Sequence, residues 1–135
     1  MKKLSLEATV ANIGAVTAFV EEALEAAGCP MKVMMQINVA IDELFGNIAH
    51  YAYRQGTGMA EVDIDIDEAA REVRLTFIDS GIPFDPLAVP DPDVTGSAKE
   101  RALGGLGIFM VRRSMDGMAY RREGGHNILT IKKRF

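Results

Sequence analysis

The stretch INVAIDELFGNIAHYAYR, from Ile37 to Arg54, decides how the rest of this sequence is read. Ile37, Ile41, Leu44 and Ile48 recur at the 3.6-residue period, which predicts one long amphipathic helix with a buried stripe. Glu43, Asn47, His50 and Arg54 follow the same rhythm one position earlier, so they form a polar ridge about 100° round the helix. A ridge on the shoulder of a core helix either meets water or faces a site beside the core. Two later segments favour a site: Asp79-Ser80-Gly81 and Gly104-Gly105-Leu106-Gly107. His50 reads as a packed histidine and not as a second base.

Outward from this helix the pattern alternates between the two periods. Residues 3–9 predict a first strand, and Val10, Ile13, Thr17, Val20, Leu24 and Ala27 predict a helix stopped by Gly28. Pro30 can open the central helix. Glu61 to Asp67 alternates strictly, with Val62, Ile64 and Ile66 inward and the acids on a solvated face. Val73, Leu75 and Phe77 repeat the pattern, so Arg71 and Arg74 can face those acids. From Ile82 to Leu103 the periodicity stops; Pro83, Pro86, Pro90 and Pro92 exclude regular helix and central strand, which leaves a long binding loop or lid. A short helix follows with Ile108, Val111 and Met115 inward. Met118–Arg122 and Asn127–Lys133 then predict a closing hairpin. Met34, Met35, Met110, Met115 and Met118 read as core filler. The order βααββ, lid, αββ predicts an α/β (α+β) two-layer sandwich, its sheet mixed but mostly antiparallel and its helices on one face.

Length and composition bound the function. A chain of 135 residues with 48 % apolar and 25 % charged residues fits one domain, residues 1–135, with a sizeable core. One cysteine, Cys29, excludes an internal disulfide and reads as a small apolar residue at a turn, compatible with a reducing cytoplasm. No apolar run reaches membrane-spanning length and no signal peptide opens the chain, so a soluble, cytoplasmic protein is expected. The net charge of −4 divides unevenly: from Lys99 onward nine basic residues face three acidic ones, leaving −10 on the first 98. That basic third carries no nucleic-acid-binding motif and suits a phosphorylated ligand or an acidic partner.

The glycine cluster needs its own explanation, because no P-loop, no dinucleotide fingerprint and no eukaryotic-type kinase motif is present. Gly104, Gly105, Leu106 and Gly107 open the helix after the lid, where glycines admit close backbone approach and free N–H groups favour an anion. Asp79 ends the third strand, where its carboxylate can accept a hydrogen bond from an exocyclic amine such as adenine's. Gly81 lets a ring lie against the main chain. Each segment alone also reads as a plain turn or helix start.

Taken together, Glu43-x-x-x-Asn47, DSGIPFD (79–85) and GGLGIFMVRRSMD (104–116) resemble, in type, order and spacing, the boxes of the GHKL superfamily of ATP-binding domains, the Bergerat fold. Size and wording are most similar to the bacterial anti-sigma-factor serine/threonine kinases (RsbW/SpoIIAB-like). That resemblance implies ATP and Mg²⁺ as cofactors, with residues 82–103 as the ATP lid. It makes Glu43 the general base, Asn47 the Mg²⁺ ligand and Asp79 the adenine reader. Gly81 would admit the base, Gly105 and Gly107 would line the phosphates, and Gly104 and Leu106 would belong to the same nucleotide-binding run. It further implies a sigma factor and a STAS-domain anti-anti-sigma protein as partners in transcription regulation, and a homodimer. Nucleic acid and membrane are not expected partners. Two departures stand out. Family members often carry Thr or Ser in the last strand near the phosphates, where His126-Asn127-Ile128 stands here, so that either Asn127 substitutes or the contact is lost. Leu103 and Gly104 occupy the place of a basic lid residue, with Arg101 and Lys99 nearby. The expected function is an ATP-dependent serine/threonine protein kinase that doubles as an anti-sigma factor. The alternative is an ATP-gated regulatory binding module without physiological phosphotransfer.

Overall fold

A computed structural model of the protein describes residues 1–54, 56–88, 90 and 106–135, with Leu106 described by its backbone alone. Most of the expected lid, with Lys99, Arg101, Gly104 and Gly105, lies outside the described residues. The elements run β1 (Lys2–Glu7), a 3₁₀ turn (Val10–Asn12), α1 (Ile13–Ala26) and α2 (Met31–Asn47). A π-helical turn (Ile48–Ala52), β2 (Met59–Asp67), β3 (Glu72–Asp79) and a second 3₁₀ turn (Pro86–Ala88) follow. The chain closes with α3 (Leu106–Ser114), β4 (Gly117–Glu123) and β5 (His126–Arg134). The strands form one sheet in the order β1-β2-β3-β5-β4, and all four pairings are antiparallel. The two-layer α/β sandwich is as expected, with no parallel pair among the described strands.

Alternation along each strand creates the core. Val62, Ile64, Val73, Leu75, Phe77, Leu129 and Ile131 share one sheet face and are buried against Val16, Val20, Leu24, Ile37, Ile41, Leu44 and Phe45 of the helices. The antiparallel α1–α2 hairpin turns at Gly28, whose φ of 75° is the left-handed stop its position predicts. Asn38 Nδ2 donates to Glu21 Oε1 at 2.8 Å and sets the register between the two helices. α3 lies against α2 on the other side. At the opposite end of the chain, Gly124 and Gly125, with φ of 59° and 80°, make the two-residue hairpin between β4 and β5.

Several sequence expectations change. The central helix is α-helical only to Asn47; its last turn is π-helical, so the expected ridge does not run straight to Arg54. His50 is exposed and lies beside the ring of Tyr51, not packed. Met34 and Met115 are buried as expected, but Met35 and Met110 are 61 % and 55 % exposed because each lies on the outer side of its helix. Val10 precedes α1 in a 3₁₀ turn and is exposed, whereas Val16 and Ala23 complete that helix's buried face. Arg71 takes φ 52° in the β2–β3 turn and bonds the Phe135 carbonyl at 2.9 Å instead of meeting the β2 acids. The β2 acid row is not uniformly solvated either, since Asp63 at its centre is 8 % exposed.

Candidate functional site

The covered face of the sheet is longer than its helical cover. Along β3, Val73, Leu75 and Phe77 are followed on the same face by Asp79, beyond the point where α2 becomes the π turn. Along β5, Ile131 and Leu129 are followed by Asn127, which stands directly opposite Asp79 in the strand register. Two polar residues thus continue an apolar face into a hollow between sheet and helix layer. That hollow is a pocket of about 600 Å³ including its open mouth. Leu44, Asn47, Ile48, Tyr51 and Ala52 wall it on the helix side, Phe77, Asp79, Asn127 and Leu129 on the sheet, and Ile82, Pro83 and Phe84 at the start of the loop.

The π turn shapes this wall. An i→i+5 turn inserts one extra residue per turn, a feature found frequently at functional sites, and here it presents Ile48, Tyr51 and Ala52 to the pocket. The Ala52 carbonyl accepts the Ile82 N–H at 2.9 Å. Gly81 passes so close to that carbonyl that a Cβ at position 81 would overlap it. Glycine is therefore required here by space, not by φ.

Asp79 is 6 % exposed and held by two bonds to one oxygen: Oδ1 accepts the Gly81 N–H at 2.9 Å and the Asn127 Nδ2–H at 2.9 Å. Among the described residues Oδ2 has no hydrogen-bond partner, so one carboxylate oxygen remains for a ligand donor. Around it the backbone of residues 80–84 is pinned from several elements. Tyr53 Oη accepts the Ser80 N–H at 2.9 Å and donates to the Met59 carbonyl at 2.6 Å. Arg122 Nη1 donates to the Gly81 carbonyl at 2.8 Å. Ser80 Oγ and His126 Nδ1 share a hydrogen bond of 2.8 Å on the outer side.

Along α2, Asn47 faces the pocket, and its side chain makes no hydrogen bond among the described residues. Its free amide oxygen fits a hard cation such as Mg²⁺, which takes few protein oxygens and completes its shell with water and phosphate. Among the described residues there is no cluster of three or more His, Cys, Asp or Glu side chains that could hold a metal unaided. Glu43 lies one turn earlier, with its carboxylate against Gly107 in the first turn of α3; a Cβ at position 107 would overlap it. Along α2 the α3 start therefore meets Glu43, and one turn on Asn47 reaches the pocket wall that it shares with Asp79.

Of the residues expected from sequence, Asn47, Asp79 and Asn127 wall this pocket, Gly81 is bonded to Asp79, and Glu43 and Gly107 meet one turn of α2 before Asn47. Arg101, Gly104, Gly105 and the side chain of Leu106 lie outside the described residues. Asn127, expected beside the phosphates, sits instead against Asp79. Sequence reasoning missed Tyr53, Tyr120 and Arg122. Tyr120 and Arg122 share the strand face of core-packed Met118, and a two-residue Gly124-Gly125 turn sets Arg122 opposite Asn127, so strand parity could have found both. Nothing local announces that Tyr53 meets Ser80, 27 positions on.

The chain is 28 % identical over 100 residues to the serine/threonine-protein kinase BtrW of Bordetella bronchiseptica, a match covering 74 % of this chain and 70 % of that protein. The family model of the histidine kinase-like ATPase domain matches residues 6–133, which takes in all the helices and strands β2 to β4 whole, β5 up to Lys133 and the end of β1. The chain belongs to the histidine kinase-like ATPase domain family.

Proposed function

We propose that this protein is an ATP-dependent serine/threonine protein kinase that acts as an anti-sigma factor and phosphorylates a serine on a STAS-type anti-anti-sigma partner. One observation carries the catalytic part: Asn47 and Asp79 wall the same pocket, and Glu43 stands one turn along the same helix against the start of α3. Similarity to a serine/threonine-protein kinase supports phosphotransfer. The sigma-factor and STAS partners rest on the resemblance of the sequence motifs.

In this reading the free Asp79 oxygen accepts the exocyclic amine of adenine, while Gly81 lets the ring approach the main chain and Ile48, Phe77 and Leu129 supply apolar surface. The phosphates then extend along α2 toward the N–H groups that open α3, where the dipole favours negative charge. The Asn47 amide oxygen would hold Mg²⁺, which when bound neutralises charge on the phosphate oxygens. Glu43 takes the proton of the partner's serine hydroxyl as the serine oxygen bonds to the γ-phosphorus. The bond from phosphorus to the β–γ bridging oxygen breaks, and ADP leaves. A base placed beside a helix start, next to the Mg²⁺ ligand, suits a reaction governed by positioning and charge neutralisation.

The test uses Mg-ATP labelled at the γ-phosphate with purified candidate STAS proteins. The wild-type protein yields phosphoserine on the partner. Glu43→Ala lowers transfer by about 100-fold or more and leaves ATP affinity unchanged, because a base acts on the barrier and not on nucleotide binding. Transfer that persists in Glu43→Ala removes Glu43 as the base. ATP-dependent binding of a partner without label transfer replaces the kinase with an ATP-gated binding module.

A further inference from the structure

Asn127 is the most fully bonded polar side chain in the pocket. Its Nδ2 donates to Asp79 Oδ1 at 2.9 Å and to the Ile82 carbonyl at 2.8 Å. Its Oδ1 accepts from Tyr120 Oη at 2.6 Å and from the Phe84 N–H at 3.3 Å. A primary amide offers two donors and two acceptor lone pairs, so all four capacities are used. The residue is 6 % exposed, and no hydrogen-bonding capacity remains for a nucleotide.

The orientation of this amide is forced. Turned over, its oxygen would face the Asp79 carboxylate and the Ile82 carbonyl, while its NH₂ would face the Phe84 N–H. Acceptors would then meet acceptors and a donor would meet a donor, at a side chain only 6 % exposed. The Asp79 carboxylate, the Ile82 carbonyl and the Phe84 N–H therefore fix which way the amide points, and the Tyr120 hydroxyl, able to donate or accept, braces it there through Oδ1. The amide in turn fixes which Asp79 oxygen is occupied and which is free. Two of its four bonds go to the backbone of Ile82 and Phe84, at the start of the loop that leaves the pocket.

From this network we infer that Asn127, braced by Tyr120, is the positioning residue for base recognition: it aims the free oxygen of Asp79 at the base's amine and ties that aim to the backbone at 82–84. Asn127 does not touch the nucleotide. It acts through Asp79, and because one amide holds both the carboxylate and the loop backbone, an amine bound to Asp79 and an ordered Ile82–Phe84 segment support each other. This rests on the adenine reading of Asp79 given above.

The test compares calorimetric affinities for ATP and for purine riboside triphosphate, which lacks only the 6-amino group. The wild-type protein prefers ATP by at least about tenfold, the range of a hydrogen bond to a charged group. Asp79→Asn, the control, removes that preference. Asn127→Ala reduces it to under about threefold while affinity for the analogue changes by less than that, an outcome that loosened packing alone would not produce. Tyr120→Phe, which keeps the ring and removes only one hydroxyl, moves the preference the same way by a smaller factor and serves if Asn127→Ala does not fold. Hydrogen exchange supplies the second readout: Phe84 N–H exchanges faster in both variants, whereas Leu87 N–H, bonded to Asp85, does not. If Asp79→Asn abolishes the preference and the Asn127 and Tyr120 variants keep it, the positioning role is overturned and the adenine reading stands. If Asp79→Asn also keeps it, the adenine reading falls, and this inference with it.

Discussion

Two carboxylates on neighbouring strands are almost equally buried and do opposite things. Asp79, 6 % exposed, ends β3 on the helix-covered face, where two N–H donors hold one oxygen and the other faces the pocket. Asp63, 8 % exposed, sits in mid-β2 on the uncovered face, and its buried Oδ1 has no hydrogen-bond partner among the described residues. Burial pushes the Asp63 carboxyl up to about 6, with neighbouring Glu61 adding to the rise and Lys3 opposing it. The difference lies in what the surrounding backbone offers. A strand end gives a carboxylate free N–H groups and a neighbouring loop; mid-strand, the main-chain donors are already committed to the ladder. Burial by itself therefore does not mark a functional acid, whereas burial with donors on one oxygen and open space at the other does.

The same contrast divides the two faces of the sheet, and the largest effect tests it first. Phe77→Ala removes a fully buried ring two residues before Asp79 and should cost about 3–5 kcal/mol in urea unfolding. Ile78→Ala, next door on the open face, should cost roughly 1 kcal/mol, because less of its surface leaves water. Equal losses would mean that the open face is buried in solution. Gly81→Ala comes next. A Cβ there meets the Ala52 carbonyl, so the Asp79 end of the pocket must shift; ATP affinity should fall by about 10- to 100-fold and stability by about 1–3 kcal/mol. Unchanged affinity would break the assignment of this end to the base.

The smallest effect belongs to Asp63. Its folded pKa lies above the ordinary carboxylate value of 3.8, so the folded state binds the proton more tightly than the unfolded chain does. Its contribution to stability is thus most favourable at low pH and declines as pH rises from about 4 through about 6. Asp63→Asn, neutral throughout, should be more stable than the wild type by on the order of 1 kcal/mol at pH 7, with the difference vanishing below about pH 4. Unfolding curves at several pH values read this directly. A variant less stable than wild type at pH 7 would show that ionised Asp63 has a favourable partner after all.

How much of this was legible beforehand follows from what each residue depends on. The apolar periods of β2, β3 and α2 gave the layers and most of the core, because burial on one face of a strand or helix is written locally. Glu43, Asn47, Asp79 and Gly81 were legible through their spacing and their resemblance to known motifs. The exposed Met35 and Met110 were not, since residue type does not tell which side of a helix faces its neighbours. The π turn was equally hidden: Ile48 to Ala52 reads as continuous helix until the contact between Ala52 and the Gly81–Ile82 backbone is known.

By itself, then, the sequence determined the alternation of strands and helices, the polar ridge on α2 and the glycine positions, all consequences of short-range sterics and of which side chains avoid water. Only the tertiary structure decided that Asn127 stands opposite Asp79, that Tyr120 bonds its amide oxygen, and that Glu43 meets Gly107. These pairings join β3 to β5, β4 to β5 and α2 to α3. They arise because insertion of β5 between β3 and β4 closes the sheet, and a hydrogen bond between residues 48 positions apart can form only once that closure has fixed its geometry.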